Sequence, residues 1–379
     1  MSGNHPYRSG GSDATHPVLS PPAVSLPALL SALPHELVEH APGLSLPEAR
    51  RILSLVHRQG QLPAVTPAGI RRGPYLQVRS SFVVPSLSVV QRRPSRLDPF
   101  IKYALRCPDG SIIEAVRIPL ERPGRFVACV SSQVGCAIGC AFCATGRMGL
   151  SRNLDAWEIV DQVRKLRDDL PHDARMHGVV FQGMGEPLAN VRQVVRSIRV
   201  MCDPSLLAID ARAITVCTSG HLRGLRTLVE ELPNVRLGIS IGSAIAHERA
   251  RLIPLERSNP LAEVLQVAAS HAKATRIAPM LAYTLLAGVN DSDAHIEALA
   301  DLARRFAERA GTAPRVSLIA YNRIGDGDPF SASPPERVDA LRRAVGRLGI
   351  PVVRRYSGGS DVGAACGQLG MECRPACSR

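Results

Sequence analysis

From residue 125 onward the chain repeats one pattern, and that pattern limits the folds open to it. Short apolar segments recur at RFVACV (125–130), GVVFQ (178–182), AITVC (213–217), VRLGISI (235–241), MLAYTLL (280–286) and RVSLIAY (315–321). Between them lie amphipathic helical patterns such as DAWEIVDQVRKLRDDL, LAEVLQVAASHAKA, DAHIEALADLARRFAERA and PERVDALRRAVGRLG. Strands separated by helices form parallel sheets, because a parallel connection needs a long crossover. The six units predict an α/β fold, an incomplete (βα)6 barrel rather than a closed eightfold one. In such barrels chemistry collects in the loops after the strands. Every unusual short motif falls there: the cysteines after RFVACV, GMGEPL after GVVFQ, TSG after AITVC, SIGSA after VRLGI, and Asn322 after RVSLIAY.

The 379 residues suffice for one large α/β domain plus a smaller one, and a hydrophobic content of 45% is ample for a core. Residues 1–25 are rich in Gly, Ser and Pro without apolar periodicity, and disorder is expected there. Residues 26–61 read as a small helical region, with apolar residues at three- and four-residue spacing and Pro near each helix start. Residues 73–121 read as strands, and Asp109-Gly110 within FIKYALRCPDGSIIEAVRIPL marks a hairpin turn. The expected division is therefore a segment 1–25, an N-terminal accessory region 26–121, a core barrel 122–361, and a C-terminal loop and tail 362–379. No apolar run matches a signal-peptide core or a membrane span, so the expected location is the cytoplasm, away from membranes.

That compartment governs how ten cysteines are read. Where thiols stay reduced, clustered cysteines serve more often as metal ligands or catalysts than as structural disulfides. Four fall within residues 129–143, and Cys136, Cys140 and Cys143 form C-x3-C-x2-C. Thiolates hold iron–sulfur clusters, and a fully protein-bound cubane takes four of them. Three leave one iron open to chelate a small molecule. Structural zinc wants four closed ligands, and no second C-x2-C or His pair lies nearby to complete them.

A net charge of +13 invites a polyanionic partner such as nucleic acid. Only Lys102, Lys165 and Lys273 among the 46 basic residues are lysines. An Arg-dominated count also arises from genome base composition alone, although Arg suits bidentate phosphate contacts and base stacking.

The string CVSSQVGCAIGCAFCATGRMGLSRNL resembles the RlmN/Cfr family of radical S-adenosylmethionine (SAM) enzymes, methyltransferases of adenosine in RNA. QGMGEPLANV, TSG, RLIPL, LLAGVND and DVGAACGQL follow in that family's order from about residue 110 to 370. The resemblance implies a radical SAM barrel in which Cys136, Cys140 and Cys143 bind a [4Fe–4S] cluster whose free iron chelates SAM. Gly185 and Glu186 would line SAM, with further contacts from Cys217, Ser240, Ile241, Gly242 and Asn322. Cys366 matches the cysteine that is itself methylated, and Cys129 the partner that forms a transient disulfide with it. Glu114 matches the family's proton acceptor. Its alternation with Val116 and Ile118 places its carboxylate on an apolar face, where burial favours a stronger base. The implied partners are ribosomal RNA, transfer RNA or both, an electron donor such as flavodoxin or ferredoxin, and a thiol reductant, for a chain acting as a monomer.

The implied chemistry accounts for the two further cysteines. Carbon 2 or 8 of adenine is not nucleophilic, so a thiolate takes the methyl group from one SAM first. A second SAM, cleaved reductively, activates that methyl group for addition to the base, and Cys129 then frees the product by disulfide formation. Gly242, Cys217 and Ala282 stand where the family commonly has His, Ser and Glu, and IAYN replaces a Pro-Trp version. Two rival readings stay open on the sequence: a radical SAM enzyme without methyl transfer, which needs neither Cys129 nor Cys366, and a non-catalytic zinc-stabilised RNA-binding protein. Cys107 and Cys202 read as packing residues, and Cys373 and Cys377 as an inert tail or a weak metal pair.

Overall fold

The structure, a computed structural model, describes residues 26–371. The expectations for residues 1–25 and for Cys373 and Cys377 lie outside the described residues. Three helices come first: α1 (Pro34–His40), α2 (Leu46–Gln59) and α3 (Arg72–Ser81). Helix α2 starts where Glu48 turns back on Ser45, accepting from its backbone N–H at 2.9 Å and its hydroxyl at 2.7 Å. Helix α3 corrects the expectation of strands from residue 73. Tyr75 and Val78 are both fully buried in a small core with Leu37, Ile52 and Leu53. A helix puts residues three apart on one face, whereas a strand would send them to opposite faces. Pro74 lies in the first turn, where a missing N–H is tolerated.

Next come β1 (Ser88–Pro94), β2 (Ile101–Arg106), β3 (Ile112–Pro119) and β4 (Arg125–Val130). A short ribbon follows, β5 (Gln133–Cys136) against β6 (Gly149–Asn153). The remainder alternates: α4 (Ala156–Asp168), β7 (Arg175–Phe181), α5 (Val191–Cys202), β8 (Ile214–Thr218), α6 (Leu222–Glu231), β9 (Arg236–Ser240), α7 (Ala246–Leu252), α8 (Leu261–Thr275), β10 (Met280–Leu285), α9 (Asp293–Ala310), β11 (Arg315–Ala320), α10 (Pro335–Gly346) and β12 (Val352–Arg355). All six expected strands are present. Ten strands form one sheet in the order β1-β2-β3-β4-β7-β8-β9-β10-β11-β12. From β4 to β12 every pairing is parallel. Among the described residues no ladder joins β12 back to β4, so the barrel is partial.

The hairpin β2–β3 turns at Asp109-Gly110 and pairs Ala104 with Glu114. It also lengthens the barrel sheet, because β3 lies antiparallel to β4 with Val116 opposite Cys129. This union sets Glu114 beside the cysteine strand. The helices cover the outer face with apolar stripes: Val194, Val195, Ile198 and Met201 of α5 are all buried. Trp157 and Leu206 pack against both the barrel core and the N-terminal core, joining the two. No described helix is long and apolar enough to cross a membrane.

Candidate active site

The loop after β4 begins with three polar residues, Ser131, Ser132 and Gln133, all buried. Buried polar groups need partners, and these three find theirs in neighbouring loops. The Ser131 hydroxyl donates to the Glu114 carbonyl at 2.6 Å and accepts from Met184 N–H at 2.8 Å. The Ser132 carbonyl accepts from Asn190 Nδ2 at 2.9 Å. Gln133 Oε1 accepts from Glu186 N–H at 2.8 Å. The polar stretch before the cysteines thus fastens the GMGEPL loop to the cysteine loop.

Cys136 closes β5, and Cys140 and Cys143 follow on the loop. Ala141 N–H donates to the Leu252 carbonyl at 3.0 Å, anchoring that loop to the end of α7. Ala144 N–H donates to the Gly367 carbonyl at 2.8 Å, and the Thr145 hydroxyl to the Leu369 carbonyl at 2.5 Å. The cysteine loop is therefore zipped directly to the segment that carries Cys366.

At the C-terminal ends of the strands a cleft of about 130 Å³ is lined by Cys140, Cys143, Gly185, Glu186, Cys217, Ser240, Gly242 and Cys366, among others. Ile241 is fully buried and does not line the cleft. Asn322 does not line the cleft either; its Nδ2 donates to Ser357 Oγ at 3.0 Å and to the Cys366 carbonyl at 3.3 Å, which holds the segment carrying Cys366. Gly185 has φ +97°, and a Cβ there would come within 2.5 Å of Gln133 Cβ. Only glycine fits. Next to it the Glu186 carboxylate accepts from Leu188 N–H at 3.0 Å and Ser219 N–H at 2.8 Å. Burial raises its pKa, against those hydrogen bonds. Gly242 also has positive φ, +67°, and a Cβ would meet Ile253 at 2.8 Å. Its carbonyl accepts from Asn290 Nδ2 at 2.7 Å, so the chain at this departure from the family is held through backbone.

A second cavity, continuous in its lining with the first at Cys143 and Cys366, also contains Cys129, Val116, Ile118 and Arg355. Cys129 is buried, and this pushes its thiol up to about 12, with negative charge on Cys366 acting the same way and Arg355 opposing. Glu114 is fully buried. Lys102 Nζ stands 3.3 Å from its Oε1, and Gly370 N–H donates to its Oε2 at 2.8 Å. Its strand neighbours Val116 and Ile118 line the cavity while Glu114 itself lies behind Gly370.

The donor set on the cysteine loop suits an iron–sulfur cluster. Burial pushes the Cys136 thiol up to about 12 and raises Cys140 and Cys143 as well. Charge on Cys143 raises Cys136, and charge on Cys143 and Cys136 raises Cys140, so the three sulfurs sense one another. These thiols, two buried and one half-buried, would ionise together only with positive charge between them, which the irons of a cluster would supply. Among the described residues no three His, Cys, Asp or Glu side chains converge as the shell of one metal ion.

Several contributors lack any local sequence signal. Arg249 is fully buried, and its guanidinium donates to the carbonyls of Ile241, Ser219 and Ser240 at 2.9, 2.7 and 3.1 Å while pairing with Glu256 at 2.6 Å. One side chain thus ties together the loops after β8 and β9. Arg355, on the short β12, reaches Gln182 Oε1 at 2.5 Å. Two adjacent arginines in VVRR look alike in sequence, and only the ladder with β11 turns Arg355 partly inward.

Residues 130–303 match the radical SAM superfamily. A probable RNA methyltransferase of Sorangium cellulosum is 54% identical over 356 residues, covering 89% of this chain and 90% of the relative. The dual-specificity RNA methyltransferase RlmN of Syntrophobacter fumaroxidans is 39% identical over 297 residues, covering 78% of this chain and 84% of that protein. Among solved structures, a radical SAM methyltransferase from Sphaerobacter thermophilus superposes with a TM-score of 0.81 at 34% identity, over 91% of this chain and all of the other. With the cysteine loop, the glycine-lined cleft and these likenesses together, the chain belongs to the RlmN/Cfr-type family of radical SAM RNA methyltransferases.

Proposed function

We propose that this enzyme methylates carbon 2 or carbon 8 of adenine in ribosomal or transfer RNA through an S-methylcysteine formed on Cys366. The observation that carries this reading is the shared cavity: Cys366 and Cys129 face one space that opens beside the cysteine loop. A radical SAM enzyme that transfers no methyl group has no use for that pair.

Cys136, Cys140 and Cys143 would hold the [4Fe–4S] cluster, which supplies the electron for reductive cleavage of SAM. Gly185 admits the ligand close to backbone, and Glu186, Cys217, Ser240 and Gly242 border the space for it, with Ile241 fixing the β9 loop from behind and Asn322 holding the Cys366 segment through its carbonyl. Cys366 takes a methyl group from SAM as a thiolate. Glu114 accepts the proton from the methylated ring carbon. Cys129 attacks the Cys366 sulfur to release the product, and a thiol reductant reopens the disulfide. Flavodoxin or ferredoxin is the proposed electron donor, and the chain acts as a cytoplasmic monomer.

The N-terminal unit, residues 26–121, is the proposed RNA-holding part, with 122–361 the catalytic barrel and 362–379 the cysteine loop and tail. Arg50, Arg51, Arg58, Arg72, Arg79 and Arg96 are exposed on it, as phosphate contacts require. Mass spectrometry of nucleosides from ribosomal and transfer RNA of a deletion strain tests the reading. Loss of 2-methyladenosine or 8-methyladenosine is expected. An unchanged nucleoside profile overturns it.

A further inference from the structure

Arg355 is the one charged side chain among the residues that line the cavity shared by Cys129 and Cys366. It is half-buried at the end of β12, and its Nη1 donates to Gln182 Oε1 at 2.5 Å. That bond draws the guanidinium across the open seam of the barrel, from β12 to the end of β7. Gln182 Oε1 also faces Cys217 Sγ, at 3.7 Å. No Asp or Glu among the described residues neutralises Arg355; the groups acting on its charge are the thiols of Cys366, Cys217 and Cys129. A cation that loses part of its hydration and has no carboxylate partner is favoured by a negative charge beside it. In this cavity the groups able to become anions are thiols.

We propose that Arg355 is the positioning counter-ion of the Cys129/Cys366 pair, stabilising the thiolate that Cys366 presents to SAM and the thiolate that Cys129 presents to the RNA adduct. The inference rests on the reading of Cys366 as methyl carrier and adds the residue that makes its sulfur nucleophilic. In the first step the Cys366 thiolate forms a bond to the SAM methyl carbon, and the sulfonium bond breaks to leave S-adenosylhomocysteine. In the second, the Cys129 thiolate forms a bond to the Cys366 sulfur. The pair from the broken carbon–sulfur bond stays with the methylene carbon on the base, which a proton completes to a methyl group. Both steps begin from an anionic sulfur, and both sulfurs share the same cation. Burial works against each charge: it lowers the pKa of Arg355, but the three thiols outweigh this and raise it, while Arg355 counters the burial of Cys129 and of Cys217. The titratable groups around these thiols are Cys129 from β4, Cys217 from β8, Cys143 from the cysteine loop, Tyr356 just after β12, Cys366 from the C-terminal loop and Arg355 itself, with Glu186 acting on Cys217.

The test is thiol alkylation of the reconstituted full-length enzyme by iodoacetamide between pH 6 and 10 (roughly the window around a free thiol), resolved by peptide mass spectrometry. Arg355→Gln and Arg355→Met remove the charge, Arg355→Lys keeps it, and Cys202 on α5 is the internal reference. The neutral variant that retains wild-type iron content and thermal midpoint is the one read. The rate at Cys366 near pH 7.5 should fall about tenfold, with the profile displaced upward by about one pH unit. Arg355→Lys should restore most of the rate, and Cys202 should not change. Superimposable profiles in wild type and both neutral variants overturn the proposal, and so does an Arg355 effect confined to RNA affinity, which would make it a phosphate contact. Alkylation uses neither SAM nor RNA, so its outcome is separate from the methyl-carrier reading, which is checked by the mass of the Cys366 peptide after incubation with SAM alone.

Discussion

Gly370 N–H donates to Oε2 of Glu114 at 2.8 Å, tying the segment that carries Cys366 to a carboxylate buried in the hairpin. The other oxygen of that carboxylate faces Lys102 at 3.3 Å, and both side chains are buried. Removing one partner of a buried pair leaves an uncompensated charge, at a cost of about 3–5 kcal/mol. Lys102→Met should lose stability of that order in urea denaturation, and Lys102→Met with Glu114→Gln should regain much of it. Glu114→Gln alone keeps an acceptor for Gly370 but no base. It should load methyl onto Cys366 normally while RNA methylation falls about 10²–10⁴-fold, the usual weight of a general base.

The cysteines should sort by position. Cys140→Ser is expected to abolish reconstituted iron and visible absorption, because its sulfur sits among two other thiols on one anchored loop. Cys107, whose thiol burial pushes up to about 12, belongs to the packed core. Cys107→Ser should keep the full iron content. Retention of a complete cluster by Cys140→Ser would falsify the ligand assignment.

Cys129 and Cys366 should separate by the step they block. Cys366→Ala should bind SAM and transfer no methyl group to RNA. Cys129→Ala should accumulate RNA joined covalently to Cys366, seen as a denaturant-stable band that ribonuclease trims. Release of methylated RNA by Cys129→Ala at the wild-type rate would end the two-thiol mechanism while leaving the cluster untouched.

Gly185→Ala places a Cβ within 2.5 Å of Gln133 Cβ at a φ of +97°. The GMGEPL loop must then shift off its anchor, Glu186 N–H to Gln133 Oε1. SAM affinity measured by calorimetry should weaken by at least about tenfold, or 1.4 kcal/mol. Iron content should stay near wild type, since the cysteine loop keeps its own anchors.

His57 is fully buried beside the N-terminal core, and neither ring nitrogen has a hydrogen-bond partner among the described residues. Burial, reinforced by Arg167 and Arg164 and opposed by Asp203, lowers its pKa from 6.5 to about 4. The unfolded chain therefore takes up this proton first as pH falls. The neutral ring's contribution is complete above pH 6.5 and is lost as pH drops toward 4, at up to ~1.4 kcal/mol per pH unit. Denaturation at pH 7 and pH 5 should show a smaller acid loss for His57→Leu than for wild type. An equal loss in both proteins would remove His57 from the acid response.

The sequence alone determined the six barrel strands and the loop placement of each motif, because hydrophobic periodicity and crossover length are local properties that a parallel sheet must satisfy. It likewise marked Cys136, Cys140 and Cys143, whose spacing holds on any short loop. It misread α3: Tyr75 and Val78 choose a helix only once a small core exists to receive both. It also left β12 unmarked, since VVRR carries no apolar run and is a strand through its ladder with β11. Tertiary structure alone decided what lies beside what. Glu114 and Lys102 are twelve positions apart and Glu114 and Gly370 are 256 apart, yet they meet over one buried carboxylate. Gln182 and Arg355 are 173 apart and meet in one hydrogen bond between β12 and the end of β7. A pattern of apolar residues fixes which face of each element turns inward. Which polar groups then meet depends on how the sheet curves, and the neighbours that curvature creates set the charge each thiol experiences.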